Sequence, residues 1–201
     1  MSAIPHDPVD DKKRRFLIAS TAIAGGVAAA GVAVPFLGSW FPSARALAAG
    51  GPVEVDISKI EPGQQITVEW RGKPVWVLRR TKEMIDILTN HDAVLVDPES
   101  KGSVQPDYVK GPGRSIKPEL FVVEGICTHL GCSPTLKKEI GAASDMGGDW
   151  PGGYYCPCHN SRFDLAARVY KGSPAPTNLK VPPHRFVGES AIVIGEDTKG
   201  A

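Results

Sequence analysis

All four cysteines of this 201-residue chain fall in two short stretches, CTHLGC at 127–132 and CPCHNS at 156–161, together with two of its five histidines. Whatever fold the chain adopts must therefore bring two distant loops to one place and use thiols and imidazoles there. The spacing is Cys127-x-His129-x-x-Cys132, then Cys156-x-Cys158-His159. Three readings of these residues compete. Two plain disulfides suit an exported domain but leave the paired histidines idle. A structural zinc site takes the same donor types, yet its motifs pair ligands two to four residues apart and need no surplus cysteines. A metal centre that draws one cysteine and one histidine from each loop uses both motifs symmetrically.

The N-terminal part limits where such a centre can sit. Residues 1–15 are polar and end in Lys12, Lys13, Arg14 and Arg15, and residues 16–44 carry no charge. About twenty apolar residues at about 1.5 Å each span a bilayer core of about 30 Å. The basic cluster sets the N-terminus in the cytoplasm and the rest of the chain outside. RRFL resembles a twin-arginine export signal, and Ala46-Leu47-Ala48 offers a small-x-small cleavage site. The uncharged run exceeds the usual 7–15-residue signal core, so an uncleaved signal-anchor is expected. The expected organisation is a cytoplasmic N-terminus at 1–15, a transmembrane signal-anchor at 16–42, a small-residue hinge at 43–51 and an exported domain at 52–201.

The exported domain alternates short apolar runs with Gly and Pro. Residues 53–57, 65–70 and 74–80 read as strands, the last two joined by a turn at Arg71-Gly72-Lys73. TKEMIDILTN at 81–90 reads as a short helix started by its threonine. Residues 91–118 are polar and rich in Pro and Gly, and read as a long loop. Strands at 120–125 and 152–157 lead into the two cysteine motifs, and 184–196 reads as a closing hairpin turning at 188–190. The fold class is mostly β: an antiparallel β sandwich with the cysteine motifs on loops at one end. A formal net charge of +1 argues against a nucleic-acid binder held by phosphate contacts.

The pattern Cys127-x-His129 … Cys156-x-x-His159 resembles that of Rieske iron–sulfur proteins. The resemblance implies a Rieske fold with a cluster-binding part at about 121–178 and one [2Fe–2S] cluster held by Cys127, His129, Cys156 and His159. It implies a disulfide between Cys132 and Cys158 that ties the two loops. Two ferric ions, two sulfides and two thiolates sum to zero charge. Histidine ligation therefore raises the potential into the range of quinones, and outward imidazoles accept a proton with the electron.

The anchor, the small-residue stretch after it, the insertion at 81–118 and the proline-rich KGSPAPTNLKVPP at 171–183 resemble the branch of the family that serves quinol–cytochrome c reductases, the cytochrome bc complexes. That resemblance implies an enzyme subunit in a cell inner membrane, partnered by cytochrome b and a c-type cytochrome in a dimeric complex that oxidises ubiquinol. His159 and His129 would be the catalytic imidazoles, with His159 on the quinol. Leu130 would pack in the quinol-site contact and Ser161 would donate to a bridging sulfide, although a loop serine also commonly caps backbone. Gly131 and Pro157 would shape the loops, with Gly131 at positive φ. The alternative is an exported Rieske subunit of another oxidoreductase, such as an arsenite oxidase.

Two positions depart from the family pattern. Asn160 stands where glycine is common, and asparagine tolerates the same left-handed backbone. Phe163 stands where a tyrosine donates to a ligand cysteine, and phenylalanine has no such donor. The stretch 133–155 looks longer than usual. His6, His91 and His184 lie outside any motif and read as surface or structural histidines.

Overall fold

The computed structural model describes residues 10–43, 46, 50–90 and 92–197. The chain divides into two compact units, residues 1–48 and 49–201. His6, His91 and most of the stretch expected to act as a hinge (44–45 and 47–49) lie outside the described residues.

The first unit contains the helix α1 (Asp11–Gly38), of 28 residues. It is about 42 Å long at about 1.5 Å per residue. It is long and apolar enough to cross a membrane, with a mean hydropathy of 2.0 over its best 18-residue window. The helix starts before the uncharged run and includes all four basic residues, because the Asp10 carboxylate caps the backbone N–H groups of Lys12 and Lys13 at 3.0 and 3.2 Å. It ends at Gly38, earlier than the span read from the sequence. Ser20 and Thr21 turn their hydroxyls onto the carbonyls of Phe16 and Leu17, so neither presents an unmet donor on the apolar surface.

Among its described residues the second unit contains nine strands, β1 (Val53–Asp56), β2 (Gln65–Trp70), β3 (Lys73–Arg79), β4 (Leu120–Glu124), β5 (Thr135–Lys137), β6 (Gly153–Cys156), β7 (Ser161–Phe163), β8 (His184–Val187) and β9 (Ala191–Ile194). A short helix, α2 (Lys82–Ile87), follows β3 and is capped by Thr81, as the sequence pattern predicts. The strands form three antiparallel sheets, ordered β1-β9-β8, β2-β3-β4 and β5-β6-β7. The first strand pairs with the last, Val53 opposite Ile194, so the segment carrying both cysteine motifs is an excursion from a closed base.

Period-two alternation explains how the middle sheet serves two cores. Val75, Val77, Leu120 and Val122 face the base core with Val55, Ile57, Trp70, Ile192 and Ile194. Trp76, Leu78, Phe121 and Val123 face the other way, into a core shared with Cys127, Tyr154, Cys156 and Phe163. Every residue of β4 is therefore buried. Trp76 stacks on Tyr154 at 5.1 Å between ring centroids and lies against Gly125, where an added Cβ would come within 2.3 Å of the indole. Only glycine lets the chain turn from β4 into the first motif at that point.

Beyond a single 3-10 turn at Asp92–Val94, the long loop is irregular, as expected. What pins it is not visible in its composition. The buried Arg114 donates to the carbonyls of Ala166, Ala167 and Leu179 and to the Gln105 side chain, stapling the loop to the segments after β7. The strands β5 and β7 were not expected from the sequence. The segment between β5 and β6 closes on itself through Gly141 N–H to Trp150 C=O at 2.8 Å, with the Trp150 indole donating to the Lys137 carbonyl.

Candidate metal centre

The two motifs occupy adjacent loops. The first runs from β4 to β5, and the second is the four-residue loop 157–160 of the β6–β7 hairpin. The first loop is a tight turn: the Cys127 N–H donates to the Cys132 carbonyl at 2.7 Å, and the Gly131 N–H returns to the Cys127 carbonyl at 3.0 Å. Gly131 takes φ +85° and Asn160 takes φ +61°, so both positions read as left-handed from the sequence are so. The Asn160 amide oxygen accepts a hydrogen bond from the Tyr155 hydroxyl across the neck of the second loop.

Cys132 and Cys158 form a disulfide with Cα atoms 6.6 Å apart, which ties the loops together. Cys127 and Cys156 remain free thiols, both buried. The sulfurs of Cys132, Cys156 and Cys158 all lie within 4.8 Å of one another, so the disulfide packs against one free thiol. The His129 and His159 rings meet edge-on, 4.7 Å between centroids. His129 is half-buried, and its buried Nδ1 has no hydrogen-bond partner among the described residues. His159 is exposed, and Leu130 is 70% exposed beside this tip.

A third wall comes from the proline-rich stretch. Thr128 Oγ1 donates to the Thr177 carbonyl at 2.7 Å, fastening the first loop to it. Ser161 is fully buried, and its Oγ accepts the Ala175 N–H at 3.1 Å, fastening the second. That bond uses an oxygen lone pair and leaves the hydroxyl hydrogen to give. The Thr128–Thr177 bond and the buried Asn178, which bonds Asp97, Ser100 and Val169, carried no signal in the sequence. Apart from Val169, nine residues from Asn178, their partners are some fifty to eighty residues away.

The donor set suits a mixed thiolate–imidazole cluster. Two thiols are left over from the disulfide, a buried imidazole nitrogen has nothing else to bond, and a second imidazole stands beside it. Burial pushes the Cys127 thiol up from its ordinary value, and the hydrogen bond from the His129 backbone opposes that shift. Metal loading at this position therefore releases a proton.

Comparison with known proteins agrees. The profile described as "Rieske [2Fe-2S] domain" matches residues 52–183, and "Ubiquitinol-cytochrome C reductase Fe-S subunit TAT signal" matches residues 5–43. The chain is 57% identical to the ubiquinol–cytochrome c reductase iron–sulfur subunit of Allochromatium vinosum, over 96% of this chain and 93% of that one. It is 42% identical to the protein of the same name from Blastochloris viridis, over 94% of this chain and 96% of that one. It is 40% identical to the mitochondrial cytochrome b-c1 complex subunit Rieske of Schizosaccharomyces pombe, over 92% of this chain and 73% of that one.

Proposed function

We infer the function from the premise that the chain belongs to the Rieske [2Fe–2S] domain family, in the branch of the ubiquinol–cytochrome c reductase iron–sulfur subunits. It carries one [2Fe–2S] cluster and works as the iron–sulfur subunit of that reductase. It takes an electron and a proton from ubiquinol and passes the electron to the c-type cytochrome of a dimeric complex whose cytochrome b holds the quinol. α1 anchors it as a single pass in the inner membrane, with residues 12–15 on the cytoplasmic side and the head in the periplasm. The relatives do not favour the reading as a subunit of an arsenite oxidase.

One observation carries the ligand assignment. The buried His129 Nδ1 has no hydrogen-bond partner among the described residues, the His159 ring packs edge-on beside that imidazole, and Cys127 and Cys156 are the two thiols left free and buried by the disulfide. Cys127 and Cys156 would hold one iron, and His129 and His159 the other. When bound, the cluster supplies a one-electron acceptor at a potential raised by imidazole ligation.

The chain's own groups do the rest. The exposed His159 offers its outer ring nitrogen to the quinol hydroxyl and takes the proton there. Leu130 covers the contact with an apolar side chain that excludes water. The Ser161 hydroxyl hydrogen is directed to sulfur, since its oxygen already accepts from Ala175.

Substitution tests the ligand assignment. His159→Ala and Cys127→Ala each abolish the low-temperature electron paramagnetic resonance signal and quinol oxidation together. Purified protein with about one zinc and no iron per chain would sink the assignment.

A further inference from the structure

The second unit contains a set of buried charges out of balance. Arg80, Arg114 and Arg168 are all buried, at 2%, 0% and 0% exposure, against two buried carboxylates among the described residues, of which Asp164 pairs with Arg168. The other buried acid, Glu124, is matched by Lys73. Asp164 is committed to Arg168 at 2.7 Å, and Arg168 also meets the exposed Asp92 and the Leu88 carbonyl. Arg114 is saturated by carbonyls and Gln105. Arg80 differs from both. Among the described residues its guanidinium makes one hydrogen bond, from Nη2 to the Gly113 carbonyl at 2.7 Å, and Nε and Nη1 are buried with no partner. No carboxylate lies within ion-pair distance of it among those residues. Asp164 and Glu119 act on it only through space. Its pKa falls to about 10, chiefly through burial, so it stays a cation at neutral pH.

A buried, under-bonded guanidinium is costly, and a methionine of similar length would fill the space without that cost. The location points to what the charge does. The Arg80 guanidinium sits 4.5 Å from the centroid of the Phe121 ring, and Phe121 packs in the core that also contains Cys127, Cys156 and Tyr154. We propose that Arg80 is a tuning residue for the cluster: its uncompensated buried charge stabilises the added electron and holds the reduction potential up. The inference rests on the ligand reading above. Reduction adds one negative charge at the centre, and a fixed cation in the same unit favours that state. At an effective dielectric constant of about 20, one unit charge changes the electron-acceptance equilibrium at least threefold out to about 25 Å. Arg80 packs on Phe121, which is six residues from Cys127 and in one core with it, and six residues reach at most about 22 Å, so the centre lies within that range. Burial also keeps the effect from being screened by salt, unlike a surface charge.

The test is a redox titration of the full chain in membranes, followed by electron paramagnetic resonance, on the wild type and on Arg80→Met, Arg80→Gln and Arg80→Lys. The Met and Gln variants should be harder to reduce by at least threefold, about 28 mV at 59 mV per tenfold for one electron. The Lys variant, which keeps the charge but not the fork, should stay near the wild type, and raising the salt from 0.05 to about 0.5 M should leave the difference in place. A Met potential unchanged or raised overturns the proposal, and so does a Lys potential that falls as far as the Met one. Failure of both neutral variants to hold a cluster makes Arg80 a folding residue and overturns it as well. Failure of the ligand reading looks different, because the wild-type chain itself would then give no mixed-ligand iron–sulfur signal.

Discussion

Removing the clamp between the loops should weaken the head without removing a ligand, and the structure says how much and with what complication. Cys132 and Cys158 are 26 residues apart in sequence. Closing a loop of that length stabilises the fold by about 3.5 kcal/mol in the chain-entropy account. For a unit of residues 49–201, each kcal/mol is worth roughly 2–4 °C, so the double variant Cys132→Ala/Cys158→Ala should lose its cluster roughly 7–14 °C below the wild type. The complication is the third sulfur. Either single variant leaves a free thiol within 4.8 Å of Cys156, close enough to form a new disulfide after a small shift. That would consume a proposed ligand. The double variant leaves no stray thiol, so it should assemble more iron per chain than either single variant despite having lost the same clamp. Iron content after purification and loss of visible absorbance on heating measure the two effects separately. Equal iron in single and double variants would refute the stray-thiol argument. A double variant melting within about 2 °C of the wild type would refute the clamp energetics.

Phe163 is fully buried in the core that contains Cys127 and Cys156, and the family resemblance implies that a hydroxyl added there would reach a proposed ligand sulfur. Phe163→Tyr should raise the potential by tens of millivolts (30 mV is about 0.7 kcal/mol for one electron), and a redox titration showing no rise would remove position 163 from the tuning of this cluster. Residues 43–51, proposed as the hinge, should tolerate prolines at 48–51 with the cluster signal intact but with slower electron transfer to the c-type cytochrome; unchanged turnover would refute the hinge. His184 is buried, with Nδ1 on the Pro182 carbonyl at 2.9 Å, and burial holds its pKa below the ordinary 6.5. The unfolded chain then binds more protons below that value, so stability should fall as the pH drops through about 6.5 and below, and His184→Gln should flatten that limb of a denaturant-midpoint profile.

What the sequence made legible was whatever is enforced by short spacing. The proposed cluster ligation would fix Cys127-x-His129 and Cys156-x-x-His159, because each pair must reach one centre from one turn. Alternation marks β1 to β4 and the closing hairpin, and a positive φ at Gly131 and Asn160 follows from the turns they make. The strands β5 and β7 were illegible for a physical reason. Each has only three residues, Thr135 and Arg162 are exposed, and their strand character comes entirely from pairing with β6. The buried arginines were illegible for another. In composition Arg80, Arg114 and Arg168 count as surface charge, and only contacts reaching 33 to 80 residues along the chain put them inside. The same distinction runs through the site. The ligands are local, but their convergence is not: it depends on β1 closing with β9, on β4 being buried on both faces, and on Thr128 and Ser161 meeting the proline-rich stretch. A substitution in the motifs should therefore delete the centre outright. One in these distant partners should leave it present but displaced, which a shift in potential will register before any loss of iron.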